Sequence, residues 1–310
     1  MNKIFIDGKA GTTGLRIYQR LSKYSDIELI TLSDAERKDL DARKKAINQA
    51  DIVFLCLPDQ AAREAVSLLE NPHTIILDTS TAHRTNPDWA YGFPELSDQH
   101  RKNIISSKRV SVPGCHASGF IALIYPLVES GVLPDSAFLS FHSLTGYSGG
   151  GKAMIAEYEN CDRDKSLDSP RQYALGQQHK HLIEVKTISK LQHLPLFSPI
   201  VSGFYSGMQL TIPLFKEQLT PGKTIQDVIE VLQGKYQGPV VTYNDSLDDN
   251  GFIATNKLQG KDSMQVSVAG NSDRILLLSV YDNLGKGASG AAIQCLNIIL
   301  GKDETYGLEI

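Results

Sequence analysis

The sequence predicts an α/β protein: an N-terminal Rossmann-type parallel sheet, then an α+β domain built on a mixed sheet. Three observations predict it. Over the first 114 residues, short apolar runs alternate with stretches whose apolar residues recur at helical spacing. A glycine-rich turn, Gly8-Lys9-Ala10-Gly11-Thr12-Thr13-Gly14, joins the first such run to the first helix-like stretch. Beyond residue 136 the pattern changes to several strand candidates with few helices between them.

The bulk properties fit that class. A chain of 310 residues, 41% hydrophobic and 21% charged, suits a globular enzyme of two domains. The net charge of −4 gives no polycation signature, so nucleic acid is not an expected partner. No apolar run approaches the ~20 residues that span a bilayer. The first residues go straight into a strand, which is not the pattern of a signal peptide. Four cysteines, Cys56, Cys115, Cys161 and Cys295, are too few in this length for a disulfide framework. A reducing cytoplasm is the expected compartment.

Taken in order, Ile4-Phe5-Ile6 is a short buried strand, and Leu15, Ile17, Tyr18 and Leu21 have helical spacing. Between them Gly8, Gly11 and Gly14 stand three apart. A strand, a glycine turn and a helix start bring backbone N–H groups close to a pyrophosphate, with Thr12 and Thr13 at the helix N-terminus. The alternative is a purely structural turn. Residues 28–32 and 50–57 give the second and third strands, the latter almost continuously apolar, with Cys56 in the core. A helix covers residues 61–69, and residues 74–78 and 109–112 give further strands. After the second strand come Ser33-Asp34-Ala35-Glu36-Arg37-Lys38. Ser33 can donate a hydrogen bond, and Arg37 and Lys38 could meet the 2′-phosphate of NADP; Asp34 and Glu36 argue the other way, and a solvated loop is the plain alternative. The balance favours NADP.

Val112-Pro113-Gly114-Cys115 puts a cysteine after a sharp corner and at the start of an apolar helix that ends near Gly131. A thiol there meets unpaired N–H groups and the positive end of the helix dipole, which suits a nucleophile in acyl transfer. The alternative is a small core residue.

Residues 137–145 read as a strand that runs into Gly146-Tyr147-Ser148-Gly149-Gly150-Gly151-Lys152. That loop either presents N–H groups and Lys152 to an anion or is a flexible linker. Strand candidates follow at 209–214, 240–243, 264–268 and 274–280, with a helix over 225–232. Small residues after Asn283 open an apolar helix over 291–300 and would allow close packing against a backbone or cofactor. His179 and His181 would diverge by about 200° on a regular helix but share a face in extended backbone. No third ligand at informative spacing supports a metal.

The chain resembles N-acetyl-gamma-glutamyl-phosphate reductases of the shorter bacterial type over essentially its full length. The matching residues are the Gly8 to Gly14 turn, Asp78-Thr79-Ser80-Thr81-Ala82-His83-Arg84, Tyr91-Gly92-Phe93-Pro94-Glu95-Leu96 and Pro113-Gly114-Cys115. They continue with Gly146-Tyr147-Ser148-Gly149, residues 173–181, and Asn283-Leu284-Gly285-Lys286-Gly287-Ala288. The family usually has Thr where Ser118 stands and Pro where Ile183 stands. The resemblance implies reduction of an acyl phosphate by NADPH through a Cys115 thioester, as a step of arginine biosynthesis. It implies Cys115 as nucleophile, His179 as acid/base, and Tyr173 and His181 near the substrate. Arg84, Ser148, Gly149 and Lys152 are further substrate candidates, and Ser80 and Asn283 join the cofactor set. It also implies a homo-oligomer, dimer or tetramer. The expected domains are 1–114, with 284–310 packing back, and 115–283. Rival functions are a phosphorylating dehydrogenase for a related acyl phosphate, or a dinucleotide-binding regulator without turnover.

Overall fold

The computed structural model describes residues 1–310, which divide into two compact units: Met1–Gly114 with Ala291–Gly307, and Cys115–Gly290 with Leu308–Ile310.

In the first unit, strands and helices alternate as β1 (Asn2–Asp7), α1 (Thr12–Leu21), β2 (Ile27–Ile30), α2 (Leu40–Gln49), β3 (Ile52–Leu55), α3 (Asp59–Ser67) and β4 (Ile75–Asp78). Then come β5 (Ala90–Tyr91), α4 (Asp98–Ser106) and β6 (Arg109–Ser111). All pairings are parallel, in the order β2-β1-β3-β4-β6-β5. Every residue of β3 is buried, as a strand covered on both faces requires. Ile17 and Leu21 of α1 point into the core, whereas Leu15 is 41% exposed.

The second unit opens with α5 (Cys115–Glu129), a helix apolar on all sides and buried along most of its length. It continues through β7 (Ser140–Gly146), α6 (Gly151–Glu159), β8 (Arg171–Gln172), α7 (His181–Ile188), β9 (Leu196–Ser202) and β10 (Met208–Phe215). The last elements are α8 (Ile225–Lys235), β11 (Val241–Tyr243), β12 (Met264–Gly270) and β13 (Arg274–Tyr281), followed by one π-helical turn; α9 (Gly290–Ile299) then belongs, from Ala291 on, to the first unit. The sheet order is β11-β12-β13-β10-β7-β9-β8, with parallel and antiparallel pairs mixed.

Several elements escape the periodicity. Strand β5 has two residues and β8 two, too few to show a period. Strand β9 carries Pro199, which lowers a strand assignment although the carbonyl of Pro199 still accepts a hydrogen bond. The glycine-rich stretch after β7 is neither linker nor open loop: it is a 3₁₀ turn leading into α6.

Residues 284–290, expected to return to the first unit, lie with the second. A Cβ on Gly285 would fall 2.0 Å from the Lys261 carbonyl oxygen, so the small residues serve backbone-to-backbone approach. The chain end stays there too: Glu309 N donates to Asp262 Oδ2 at 2.9 Å and Lys261 Nζ to Ile310 O at 2.9 Å.

Candidate active site

In the first unit, the turn after β1 has the geometry of a phosphate cradle. Gly8 has φ +87°, and a Cβ there would sit 2.2 Å from the Cys56 carbonyl oxygen, so no other residue fits. The N-cap of α1 is Gly11, which offers no side chain to the first helical N–H groups. Thr12 Oγ1, at the first helical position, is buried without a hydrogen-bond partner. Uncapped N–H groups, an unmatched hydroxyl and glycine on both sides fit a pyrophosphate. A pocket of about 390 Å³ lies beside them, lined by Gly8, Lys9, Leu32, Asp34, Arg37 and Arg43 among others. These residues fit a dinucleotide.

The predicted specificity residues are already partly paired. Ser33 Oγ and N both donate to Glu36 Oε2, at 2.7 and 2.9 Å, and those bonds hold the Glu36 carboxyl below its ordinary range. Arg37 pairs with Asp34 at 3.3 Å in an exposed contact. Both acidic residues that argued against NADP are thus engaged by Ser33 and Arg37, two of the residues that argued for it. Arg43, which the sequence did not single out, also lines the pocket, with Nε and Nη2 donating to the buried Asp7 and Nη1 to Glu64.

At the carboxyl ends of β4 and β6, Asp78 is fully buried and accepts from Ser80 N at 2.9 Å and Ser80 Oγ at 2.7 Å; its Oδ2 lies 2.6 Å from His83 Nδ1. Arg84 does not present an open fork for a substrate anion. Its Nε donates to Val112 O at 2.8 Å and its Nη2 to Thr79 O at 2.9 Å. The guanidinium braces the chain just before the Pro113-Gly114 corner, because carbonyls leaving two strand ends converge on it.

In the second unit, Cys115 is the first residue of α5. Tyr281 of β13 fixes that turn: its hydroxyl donates to Cys115 O at 2.7 Å and accepts from Gly119 N at 3.2 Å. Gly119 lets β13 come this close, since a Cβ there would lie 2.5 Å from Ser279 Oγ. Gly287 of the π-helical turn lies against the other side, where a Cβ would sit 3.1 Å from that of Cys115.

Four polar rings gather next to this helix start. His116 is 3% exposed; its Nδ1 is 2.7 Å from Ser143 Oγ and its Nε2 is 2.7 Å from Tyr173 Oη. The centroid of His116 lies 5.7 Å from those of both His179 and His181, and His179 and His181 are 4.7 Å apart. Phe197 of β9 forms the floor, 5.1 Å from both His116 and His179. Burial, then the charge of His179, push the His116 pKa down to about 3. Burial, then the negative charge of Cys115, raise Tyr173 well above the usual phenol value.

The two histidines meet because the helix starts only at His181. His179 stands in the preceding non-helical segment, and His181 N donates to its Nδ1 at 3.2 Å. That bond keeps the proton of neutral His179 on Nε2. The segment is stitched to β9: Tyr173 N donates to Pro199 O, and Gln177 bonds both N and O of Phe197. Ala174 and Gln177 adopt φ of 53° and 54°, the left-handed region that non-glycine residues rarely enter.

Two predicted residues, Asn283 and Ser148, have internal work here. Asn283 donates from Nδ2 to Ser148 Oγ at 3.0 Å and accepts from Gly207 N at 2.9 Å, so its amide holds the turn after β7 rather than an open cofactor surface. Ser148 is buried by that contact, Gly149 is exposed beside it, and Lys152 is exposed on α6.

Comparison with known proteins decides the family. Residues 3–104 match the family model of the semialdehyde dehydrogenase NAD binding domain, and residues 115–283 that of the semialdehyde dehydrogenase dimerisation domain. The N-acetyl-gamma-glutamyl-phosphate reductase 2 of Nostoc sp. is 43% identical, over 99% of each chain. The N-acetyl-gamma-glutamyl-phosphate reductase of Brucella ovis is 43% identical over 97% of this chain and 99% of its own. The chain belongs to the N-acetyl-gamma-glutamyl-phosphate reductase family.

Solved structures agree on the fold. A probable aspartate-semialdehyde dehydrogenase of Pseudomonas aeruginosa superposes with a TM-score of 0.73 at 16% identity, covering 96% of this chain and 98% of its own. Aspartate semialdehyde dehydrogenase II of Vibrio cholerae gives 0.70 at 14% identity, over 97% and 98%. This N-acetyl-gamma-glutamyl-phosphate reductase family member therefore has a nicotinamide-dinucleotide-binding domain, in line with the cradle after β1. Sequence reasoning missed His116, Ser143 and Tyr281. His116 adjoins Cys115 and was in view; Ser143 and Tyr281 lie on distant strands and carry no local signal.

Proposed function

We propose that the chain reduces N-acetyl-gamma-glutamyl phosphate to N-acetylglutamate 5-semialdehyde with NADPH, releasing phosphate, in arginine biosynthesis. The observation that carries this is Cys115 at the first position of α5, beside Tyr173, which feels its charge, and next to the cluster of His116, His179 and His181.

Cys115 Sγ attacks the gamma-acyl carbon, and the carbon–oxygen bond to phosphate breaks, leaving a thioester. When bound, the nicotinamide supplies a hydride to that carbonyl. His179 gives its Nε2 proton to the oxygen that gains charge, and takes one back as the thiohemiacetal collapses and the thiolate leaves. The first N–H groups of α5 face charge that develops on the same oxygen. His181 and Tyr173 orient the substrate; Ser148, Gly149 and Lys152 supply donors for its anionic groups.

On the cofactor side, Gly8, Gly11, Thr12, Thr13 and Gly14 hold the pyrophosphate. Arg37, released from Asp34, meets the 2′-phosphate with Ser33, which is what favours NADP over NAD. Ser80 lies at the carboxyl end of β4, where such sheets bind ligands. Four free thiols fit a reducing cytoplasm, and the dimerisation-domain match supports a homo-oligomer, dimer or tetramer. The test is phosphate-dependent reduction of NADP with N-acetylglutamate semialdehyde beside aspartate semialdehyde. Turnover of the first alone is the expected result. Equal turnover of the second would overturn the substrate assignment.

A further inference from the structure

Ser143 Oγ, His116 and Tyr173 Oη form a hydrogen-bonded row that leads from β7 to the space beside Cys115. Its direction follows from donor accounting. Ser143 is 0% exposed, and the one partner of its hydroxyl is His116 Nδ1 at 2.7 Å. A buried hydroxyl proton needs an acceptor, so Ser143 donates and Nδ1 accepts. A neutral imidazole then carries its proton on Nε2, and that N–H donates to Tyr173 Oη at 2.7 Å. The phenol oxygen is thereby filled as an acceptor from the His116 side. Its own proton is left to point elsewhere, on the side of a row whose central residue, His116, follows Cys115 directly at the start of α5.

We infer that Ser143 and His116 are positioning residues that fix Tyr173 as a hydrogen-bond donor toward the acyl group carried by Cys115. The opposite polarity would turn the phenol proton inward and leave only a lone pair facing the substrate. The row stays neutral because His116 is buried and faces His179 and His181, so a proton on it would be opposed by any charge on either. Neutrality separates it from a Cys–His pair, in which the imidazole takes the thiol proton. The inference rests on Cys115 as the nucleophile, and the experiment has one arm that needs no substrate.

That arm is nitrogen-15 NMR of the histidine side chains in the full chain, with the His116 signals assigned by their loss in His116→Gln. The expected spectrum shows His116 neutral from pH 5 to 8, with an acceptor-type Nδ1 and a protonated Nε2. A protonated Nδ1, or titration in that range, would overturn the inference whatever the substrate is. The second arm is kinetic. Ser143→Ala lets the imidazole flip and should lower kcat about tenfold to a hundredfold with KM within twofold, as loss of one oriented donor does. Ser143→Thr, which keeps the hydroxyl, should restore it. Tyr173→Phe should lose as much or more, and Ser143→Ala with Tyr173→Phe no more than Tyr173→Phe alone. Additive losses, or a Tyr173→Phe enzyme with unchanged kcat, would sink the donor role. If Cys115→Ser kept turnover, the nucleophile assignment would fall while the NMR result stood.

Discussion

His116 Nε2 lies 2.7 Å from Tyr173 Oη, on a ring that is 3% exposed and flanked by two other histidines. An imidazole held neutral by the fold ties stability to pH. The His116 pKa falls from 6.5 to about 3 on folding. The unfolded chain therefore binds one proton more between those values, and the folded state loses stability as pH drops. The contribution is complete above 6.5 and fades toward 3. His116→Gln should flatten the fall in unfolding free energy between pH 6.5 and 4.5, by up to roughly 1.4 kcal/mol per pH unit, as read by denaturant titration. An unchanged slope would show that other groups carry the acid sensitivity.

Cys115 should be the thiol whose loss ends turnover. Cys115→Ser should abolish activity and leave dinucleotide binding intact, since a serine hydroxyl is a far weaker nucleophile near neutral pH. Limited alkylation followed by mass spectrometry checks the same point. Cys295 is buried, and desolvation of the half-buried Cys56 thiol pushes it up to about 12, which leaves exposed Cys161 as the competitor. Inactivation that tracks labelling of Cys161 would contradict the assignment.

His179→Asn should separate the two halves of the reaction. Phosphate is a good leaving group and needs little acid help, whereas the oxygen that gains charge later needs a proton. The variant should keep most of the rapid phosphate release seen by quench and lose roughly 10²–10⁴-fold in steady-state turnover. Equal slowing of both would make His179 the base that activates the thiol.

Arg37→Ala tests cofactor choice. A charge-assisted hydrogen bond is worth roughly 1.5–3 kcal/mol, so binding of NADPH should weaken about tenfold to a hundredfold and that of NADH hardly at all. Asp34→Ala, which frees Arg37 from its 3.3 Å ion pair, should shift preference further toward NADPH. Titration of each form by tryptophan or nicotinamide fluorescence gives the ratio. Equal losses for both cofactors would place the 2′-phosphate elsewhere.

Gly119→Ala tests the packing behind Cys115. The added methyl would lie 2.5 Å from Ser279 Oγ and 2.7 Å from the Tyr281 hydroxyl. Either β13 moves or α5 does, at about 1–3 kcal/mol. The Tyr281 bonds to Cys115 O and Gly119 N should be disturbed together, so activity should fall more than stability alone explains. A variant with wild-type kcat would show that the helix start tolerates the shift.

The sequence by itself determined the α/β class, the parallel sheet of the first unit, the glycine turn between β1 and α1 and the place of Cys115 at a helix start. Those features are local: periodicity, a glycine turn and a Pro-Gly corner are written in neighbouring residues. It left the histidine pair as a condition, that both could serve one site only off a regular helix, and the helix start at His181 meets that condition. Tertiary structure decided the rest. Arg84 became a brace rather than an open anion ligand, because carbonyls from Thr79 and Val112 converge on its fork. Asn283 became the support of the Ser148 turn. The Ser143–His116–Tyr173 row and the Tyr281 bridge join residues 27 to 166 positions apart. Only folding of β7, β13 and the segment before α7 around α5 brings those groups within hydrogen-bond reach, and no local pattern records which strand will supply the partner.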